Sequence, residues 1–353
     1  MNPILYPINQ SVYTGNGVGI LSDVTYCKAT EVLNEAYELE FEISKDAPHA
    51  SDILVNCAVK VRSNYKDPPQ LFRIYSIEKN YDGFINVKAA HISYDTSGIP
   101  ILPFTSDSLS DAVEQMNTNR KLLSESKFVL NVNFSSEGTL KVDSPSSFRS
   151  LLGGSENTIL GVYGGEYHYN NYVIELLKNR GVNRGICFRY GKNITDFEQE
   201  SNSEELYTAV LGYWKKSGNG DSDTIIYGNI VECEGKFPYD KIYILDTSSE
   251  IKNEGDAAPS VEQIDEYVTK YIADNAVGLP KNKMKIDYDE DDTITRICLG
   301  DTVGILYPEY NINATAQCNK VVFDCLLERN ESIEIGVVDL DLSDSIAKLS
   351  SRS

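Results

Sequence analysis

Three histidines, His49, His91 and His168, are the residues whose ordinary pKa lies nearest neutrality, so they are the first candidates for a catalytic base. Cys187 follows His168 closely in the sequence, and a Cys–His pair can supply a nucleophile and its base. Such a pair needs a third group that orients the histidine, and the sequence identifies none. We therefore predict a structural histidine at position 168 and no catalytic residue in the chain.

Three aspartates could begin a calcium loop, because Asp287, Asp289 and Asp291 stand at alternating positions. That loop requires glycine at its sixth position and glutamate at its twelfth. Asp292 and Cys298 occupy those positions here. The segment is therefore predicted to be a solvated acidic turn, and we expect neither a metal site nor a cofactor.

The glycine-rich segment at residues 15–19, Gly-Asn-Gly-Val-Gly, lacks the spacing of a dinucleotide-binding fingerprint. We predict that it forms a turn between two early strands. The sequence contains no phosphate-binding loop of the form GxxxxGK[ST], and neither HExxH nor GxSxG occurs. The sequence motifs therefore give no support to a hydrolase or a nucleotide-binding enzyme.

The chain is strongly acidic, with a formal net charge of −21. Nucleic-acid binding depends on lysines and arginines that neutralise phosphates, so we do not expect a specific nucleic-acid binder. The acidity has two interpretations, which are solubility alone or a surface past which DNA moves without adsorbing. The seven cysteines show no CxxC spacing, so buried thiols are expected rather than a disulfide framework.

The N-terminus has no basic region followed by an apolar stretch, and no apolar run approaches about 18 residues. We therefore expect no secretory signal and no stable membrane insertion. For the same reasons we expect the protein to be synthesised and to fold in a cytoplasm.

Alternation of apolar and polar residues predicts a first β domain over residues 1–95. Tyr37–Ile43 alternates strictly, and an Asp-Gly turn joins Leu71–Ile77 to Phe84–Val87, which is a hairpin signal. Residues 96–190 are predicted to form an α+β second domain. Its expected elements are a helix capped at Ser108 and ending near Met116, a strand at Phe128–Phe134, a helical turn at Phe148–Leu152, and paired strands at Tyr167–Leu177 and Gly185–Tyr190 joined at Lys178–Gly181.

Strands return at residues 191–238 and 284–340, which are predicted to form a second, discontinuous β domain. Between them, residues 239–283 are predicted to be an inserted domain, to which residues 341–353 can be added. Ser260 and Gln263 form a capping box there. Four apolar residues at helical spacing then predict an amphipathic helix that ends near Asn275: Val261, Ile264, Val268 and Ile272.

Two predicted hairpins resemble each other. In one, Ile77–Asn80 is followed by a turn and by Ile85–Val87, and in the other Leu327–Asn330 is followed by a turn and by Ile333–Ile335. Chance is one explanation, since hairpins with charged turns are common. The other explanation is that one chain contains two related β domains.

The most distinctive part of the sequence is Ser147–Asn193, which is rich in tyrosine, asparagine and glycine and poor in acidic residues. Together with other stretches, in their order and spacing, it resembles the phage tail hub proteins, also described as minor tail structural or prophage endopeptidase tail proteins. The stretches that carry the resemblance span nearly the whole chain: Leu33–Phe41, Leu71–Ile74, Val87–Asp95, Leu151–Gly153, Gly164–Glu166, Asn170–Tyr172, Tyr190–Asn193, Gly300–Val303 and Val322–Leu326.

The resemblance implies a mainly β, hub-like fold with α+β insertions, in which each chain has two tube-like β-barrel domains and two peripheral domains. It implies a homotrimer that adapts a sixfold tail tube to a threefold spike or fibre and lets DNA pass. The implied partners are other copies of the chain, a distal tail or tail tube protein, a spike or fibre protein and a tape measure protein. The implied location is the host bacterial cytoplasm during assembly and the virion tail tip afterwards.

Two other functions stay open at the level of sequence. The first is a tail-associated cell-wall endopeptidase, because longer relatives carry such activity in C-terminal extensions. We expect no extension after the closing β domain here, and no catalytic residue can be transferred from the family. The second is a receptor- or saccharide-binding tail module that uses exposed tyrosines.

Overall fold

The computed structural model describes residues 1–153, 157–189, 192, 194–202, 206–216, 224–233, 239–248, 250–251, 257–274, 277–278, 281–288, 296–307 and 312–336. The chain forms two compact units. The larger unit contains Met1–Glu198 and Met284–Val338, and the smaller contains Gln199–Lys283.

The larger unit is mainly β, as predicted. Its strands are β1 (Ile4–Tyr6), β2 (Gly19–Ile20), β3 (Val24–Val32), β4 (Tyr37–Ser44), β5 (Ala58–Val61), β6 (Gln70–Lys79), β7 (Phe84–His91), β8 (Pro100–Ile101), β9 (Phe104–Ser108), β10 (Val129–Val132), β11 (Glu137–Val142), β12 (Ser146–Ser147), β13 (Glu166–Asn170), β14 (Val173–Leu177), β15 (Asn183–Arg189), β16 (Ile194–Asn202), β20 (Lys281–Tyr288), β21 (Thr302–Tyr307), β22 (Ile312–Asp324) and β23 (Arg329–Ile335). Its helices are α1 (Leu109–Thr118), α2 (Phe148–Leu152) and α3 (Ile159–Tyr163), with 3-10 turns at Ala50–Asp52 and Ile92–Gly98.

Thirteen of the described strands share one sheet, in the order β16-β20-β23-β22-β3-β4-β7-β6-β5-β1-β2, with β15 and β21 joined to it through β22. The pairing of β3 with β22 joins the first β stretch of the sequence to the last, with Thr30 opposite Val322. One face of β4 is buried because Tyr37, Leu39, Phe41 and Ile43 alternate with polar residues. The two predicted β domains are therefore hydrogen-bonded into a single sheet.

The described strands do not close into a barrel, because the sheet ends on β2 and β16. The expectation of two β-barrel domains within one chain is therefore corrected to an open sheet. Sequence alternation predicts strands and their buried faces, whereas closure depends on which edges pair, and local alternation carries no information about that.

Several local predictions are confirmed. The Asp-Gly turn joins β6 to β7, with Gly83 in the left-handed region at φ 90°. The glycine-rich segment lies in the connection between β1 and β2, where a side chain at Gly17 would approach Leu5 O to 2.2 Å. Ser108 caps α1 by accepting a hydrogen bond from Asp111 N.

Two hairpin predictions are wrong. Tyr167–Leu177 is not one strand but the complete hairpin β13–β14, which turns at Asn171 with φ 52°. Asparagine tolerates this left-handed conformation, so the alternating pattern hides a turn. The strand that contains Gly185 pairs with β21 in parallel, not with the hairpin.

The predicted similarity between the two hairpins is also wrong, because the turn of the second hairpin lies at a different position from the one predicted. Leu327 and Glu328 occupy the turn between β22 and β23, where Asp324 accepts hydrogen bonds from the backbone at Leu326 and Leu327. Arg329–Ile335 is a single strand. The aligned residues of the first copy, Ile77 and Glu78, lie within β6 instead.

The smaller unit contains a three-stranded sheet, ordered β18-β17-β19, and one helix. Its elements are β17 (Ala209–Lys216), β18 (Thr224–Glu232), β19 (Ile242–Asp246) and α4 (Val261–Asp274). The predicted capping box is present, since Ser260 and Gln263 exchange hydrogen bonds between side chain and backbone. α4 packs on one face of this sheet through Ile264 and Val268.

This arrangement changes one predicted boundary. The sequence pattern predicts that residues 191–238 belong to the second β domain, but β17 and β18 pair with β19 and pack against α4. The short strands and turns of the sequence are similar in both β regions, so pattern alone did not separate them. No helix among the described residues is long and apolar enough to cross a membrane.

Candidate functional site

The candidate site is the junction where the hairpin β13–β14 of the middle block packs against the first part of the main sheet. Asn34 fixes one side of it, because its side chain donates to Gly165 O at 3.1 Å and accepts from Tyr167 N at 2.8 Å. Asn34 is itself in a left-handed turn conformation with φ 62°. These contacts join residues more than one hundred positions apart.

His168 lies in this junction between two carboxylates. Its Nε2 is 3.0 Å from Asp67 Oδ2 and its Nδ1 is 2.8 Å from Glu175 Oε2. Burial lowers the pKa of His168, but the hydrogen bond and the charge of Asp67 outweigh burial and raise that pKa overall. Asp67 is correspondingly held below its usual pKa, since contacts with His168 and Asn64 outweigh its own burial.

Arg180 supplies a second buried charge at the same junction. Its Nη1 lies 2.7 Å from Glu31 Oε1, and both side chains are almost inaccessible, at 10% and 6% exposure. The same Nη1 donates to Tyr167 O. A pair as buried as this is stable only while both partners are present.

A cavity of about 100 Å³ adjoins these charges and is lined by Ser63, Lys66, Asp67, His168 and Cys298, among others. Burial raises the pKa of the Cys298 thiol, so that thiol is not activated as a nucleophile. The Ser63 hydroxyl pairs with Tyr37 Oη at 2.7 Å. None of these contacts activates a nucleophile within the cavity.

A second group of hydrogen-bonded polar residues lies beside the first, and its Gln70 and His91 side chains are fully buried. Gln70 Oε1 accepts from Asn171 N at 2.7 Å and lies 3.1 Å from His91 Nε2. His91 stacks on Tyr37 with ring centroids 4.6 Å apart. Burial, aided by Arg149, lowers the pKa of His91 to about 3, so the ring is neutral and acts as a packed hydrogen-bonding group.

His168, Cys187 and His49 each have separate partners and do not come together as catalytic residues would. Both ring nitrogens of His168 contact carboxylates, and Cys187 Sγ donates instead to the backbone of Phe188 at 3.7 Å. His49 lies at the surface beside Asp52. His168 and Cys187, whose types could supply a Cys–His pair, therefore do not form one with each other.

Within the part of the chain that the structure describes, the remaining chemistry-bearing residues do not form a site. Asp287 lies in β20, whereas Asp289 and Asp291 fall outside the described residues. Among the residues that the structure describes, no group of three or more His, Cys, Asp or Glu side chains is placed to hold a metal ion. The described cysteines are all free thiols.

Sequence reasoning missed Arg180, Glu31, Gln70 and the turn role of Asn171. A signal existed for Asn171, because the family-like stretches Leu71–Ile74 and Asn170–Tyr172 meet here. Leu71 N donates to Asn171 Oδ1 at 2.9 Å. The motifs that carry the resemblance therefore include residues that hold the middle block against the sheet.

The outward face of the main sheet carries a row of acidic side chains. Glu38, Glu40 and Glu42 project in one row from β4, and the row is flanked by Lys28 and Lys88 on the neighbouring strands. Burial and the charges of Glu40 and Glu42 raise the pKa of Tyr26, which lies beside the row. The negative potential of the row is therefore felt by its neighbours despite the two lysines.

Comparison of the chain with known proteins identifies one matching family and several structures of similar fold. Residues 182–346 match the family described as prophage endopeptidase tail. No curated protein sequence matches the chain. The match covers the region of β15 to β23 and the smaller unit between them.

Three solved structures of similar fold are tail proteins. They are prophage tail protein gp18 from Listeria monocytogenes EGD-e (13% identity, 99% of both chains covered, TM-score 0.62), the 43 kDa tail protein of prophage MuSo2 from Shewanella oneidensis (10% identity, 96% of this chain and 98% of that chain, TM-score 0.62), and the tail protein from Neisseria meningitidis MC58 (9% identity, 96% of both chains, TM-score 0.58). At these identities the likeness concerns the fold alone. The resemblance predicted from the sequence is therefore confirmed, since residues 182–346 match the prophage endopeptidase tail family and the chain has the fold of phage tail proteins.

Proposed function

We propose that the chain is the structural hub of a phage tail or phage-tail-like particle. Three copies form a ring that adapts a sixfold tail tube to a threefold spike or fibre and lets DNA pass. The observation that carries the proposal is the continuous sheet in which β3 and β22 join the two ends of the chain, within a fold shared with tail proteins over almost the full length.

The open edges of this sheet support the trimer. Among the described strands, β2 and β16 end the main path, so each has a described neighbour on one side only along that path. Exposed edges invite pairing with another chain, and a symmetric assembly satisfies them at the same time as it closes the sheet. The tube wall is thus shared between subunits instead of being formed by one.

The row of glutamates on β4 supports DNA transit. In the proposed ring this face of the sheet lines the lumen, where Glu38, Glu40 and Glu42 repel phosphate. Lumen lining by lysine and arginine in a trimer structure would contradict this part of the proposal. Partners above and below the ring are a distal tail or tube protein, a spike or fibre protein and a tape measure protein, and the ring resides at the tail tip.

The proposal includes no catalytic step. His168 is held by two carboxylates and Cys298 has a raised thiol pKa, so the junction is built to join parts of the chain. Incubation of purified protein with bacterial cell wall tests this point, and we expect no release of peptide fragments. Release that disappears in a His168→Ala variant would support the endopeptidase instead.

The direct test is mass measurement by light scattering over a concentration series, alone and with the tail tube protein. We expect a species of three times the monomer mass and rings with threefold symmetry in electron micrographs. A protein that stays monomeric at high concentration, both alone and with its tube partner, contradicts the hub.

A further inference from the structure

An open groove of about 370 Å³ lies outside the junction described above, on the surface of the larger unit. We call it the lysine groove. Its walls come from three places in the chain: the segment at residues 11–13, the loop at 68–69, and Lys127 with residues 171–172. Tyr13, Tyr172, Pro68 and Pro69 make these walls largely apolar.

The charge of the groove is opposite to that of the chain. Two lysines, Lys60 and Lys127, line it, and the described residues that line it include no aspartate or glutamate. The chain has 53 acidic and 32 basic residues, so a lining with lysines alone departs from its average. Within the described residues neither ammonium group lies at ion-pair distance from a carboxylate.

Backbone oxygens hold both ammonium groups at the groove. Lys60 Nζ donates to Tyr13 O at 3.0 Å, and Lys127 Nζ donates to Ser11 O. Lys127 Nζ also lies 5.5 Å from the centre of the Tyr172 ring. Each ammonium group has three donors, so these contacts leave donors for a carboxylate ligand without removing any positive charge.

The walls are fixed in place by the turn of the β13–β14 hairpin. Asn171 accepts a hydrogen bond from Leu71 N at 2.9 Å, and its amide donates weakly to Pro69 O at 3.4 Å. Asn171 N donates to Gln70 Oε1. The groove is therefore preorganised, which reduces the entropy lost when a ligand binds.

We propose that the lysine groove binds an acidic segment of polypeptide from another protein. Carboxylates of the segment pair with Lys60 and Lys127, and its apolar side chains pack on Tyr13, Tyr172 and the two prolines. This inference does not depend on the hub function, because a chain of any role could use the groove.

The polar groups of the lining favour a peptide over a saccharide. Sugar recognition needs several side chains whose donors and acceptors are available to hydroxyl groups. Here the amide of Asn171 is already bonded to Leu71 and Pro69, and the side chains of Tyr13 and Tyr172 interact with each other. Charge pairing with apolar packing suits alternating acidic and apolar residues instead.

Fluorescence anisotropy tests the proposal with the full chain and a labelled peptide of alternating aspartate and leucine. We expect saturable binding that weakens about tenfold between 50 and 500 mM salt, as a charge-dependent site requires. A peptide with asparagine in place of aspartate should bind at least about tenfold more weakly.

Variants locate the binding. K60Q/K127Q should weaken it by at least about tenfold, and K60R/K127R should retain it because the charges and backbone contacts persist. Lys79→Gln is the matched control, since Lys79 is an exposed lysine on β6 away from the groove. If circular dichroism shows that K60Q/K127Q misfolds, the proposal is tested by whether K60R/K127R retains binding and by whether salt weakens the binding of the wild type.

Three results would overturn the proposal. They are no binding of the acidic peptide at about 1 mM, equal binding by wild type and a folded K60Q/K127Q variant, and tighter binding of an anionic oligosaccharide such as oligogalacturonate than of the peptide. The last result would assign the groove to a glycan.

Discussion

The junction in the larger unit and the helix-covered sheet in the smaller unit are held together by opposite kinds of interaction. At the junction, Arg180 and His168 are buried against carboxylates contributed by distant segments. In the smaller unit, α4 covers the sheet with Ile264 and Val268, both fully buried among apolar side chains. One region therefore depends on particular partners and the other on apolar area.

The second region also has two unlike faces. Opposite α4, the outward side chains of its sheet are apolar yet exposed, including Ile225, Tyr227, Ile230 and Ile244. The α4 face is so closely packed that a side chain at Gly212 would approach Val268 to 2.5 Å. Apolar residue type alone therefore does not identify the core of this unit, whereas the helical spacing of Ile264 and Val268 together with their packing does.

The largest effect is expected from breaking the buried ion pair of the junction. Arg180→Met leaves the Glu31 carboxylate buried without its partner, at a cost of about 3–5 kcal/mol. Urea unfolding followed by circular dichroism should show this loss in the larger unit. Adding Glu31→Leu should recover much of it, because no uncompensated charge then remains.

The matched control is an exposed ion pair. Lys141 and Asp143 lie 2.9 Å apart with side chains 62% and 74% exposed. Lys141→Met should therefore change the free energy of unfolding by less than about 0.5 kcal/mol. Equal losses in the two methionine variants would contradict the distinction between buried and exposed pairs.

A smaller effect is expected in the apolar region. Ile264→Ala removes a fully buried side chain beneath α4, so the smaller unit should lose about 3 kcal/mol. Trp214, the only tryptophan of the chain, lies in this core, and its fluorescence reports the unfolding of this unit alone. Ile244→Ala is the control, because Ile244 is 64% exposed on the opposite face. A comparable loss in the control would show that something covers that face.

The pH dependence of the junction should follow His168. Because the pKa of His168 is raised in the folded state, its stabilisation is complete below its ordinary pKa and is lost as the pH rises through the folded value. Asp67 has a lowered pKa, so its contribution persists until the pH falls well into the acid range. Above about pH 6.5 the larger unit should therefore lose stability as the pH rises.

His168→Gln should remove this dependence and lower stability by about 1–2 kcal/mol at pH 6, since a charge-assisted hydrogen bond is lost. Urea midpoints from pH 5 to 9 provide the measurement. An unchanged slope in the variant would mean that another group titrates. His91 does not compete in this window, because its pKa is about 3.

The smallest effect concerns the start of α4. Ser260→Ala removes the side chain that accepts from Gln263 N, so the smaller unit should lose about 1 kcal/mol by Trp214 fluorescence. Ser260→Asp should retain most of the stability, because aspartate also caps helices well. If both substitutions have the same cost, the cap is not the reason.

Much of the local structure follows from the sequence. The capping residues Ser108 and Ser260, the alternation in β4 and the turn at Gly83 each depend on neighbours within a few positions. Prediction failed at Asn171, where a turn interrupts an apparently continuous strand. It failed there because asparagine adopts strand and turn conformations alike, and the choice is fixed by contacts with Gln70 and Leu71.

The sequence by itself determined the mainly β composition, the amphipathic helix and the likeness to tail proteins, since periodicity, capping and motif order are local or additive properties. Only the tertiary structure decided that β3 pairs with β22, that Arg180 forms an ion pair with Glu31, and that two lysines line one groove. The physical reason is that the sequence does not show whether a given charged side chain is solvated or paired with another. Their partners are chosen by the packing of segments far apart in the chain.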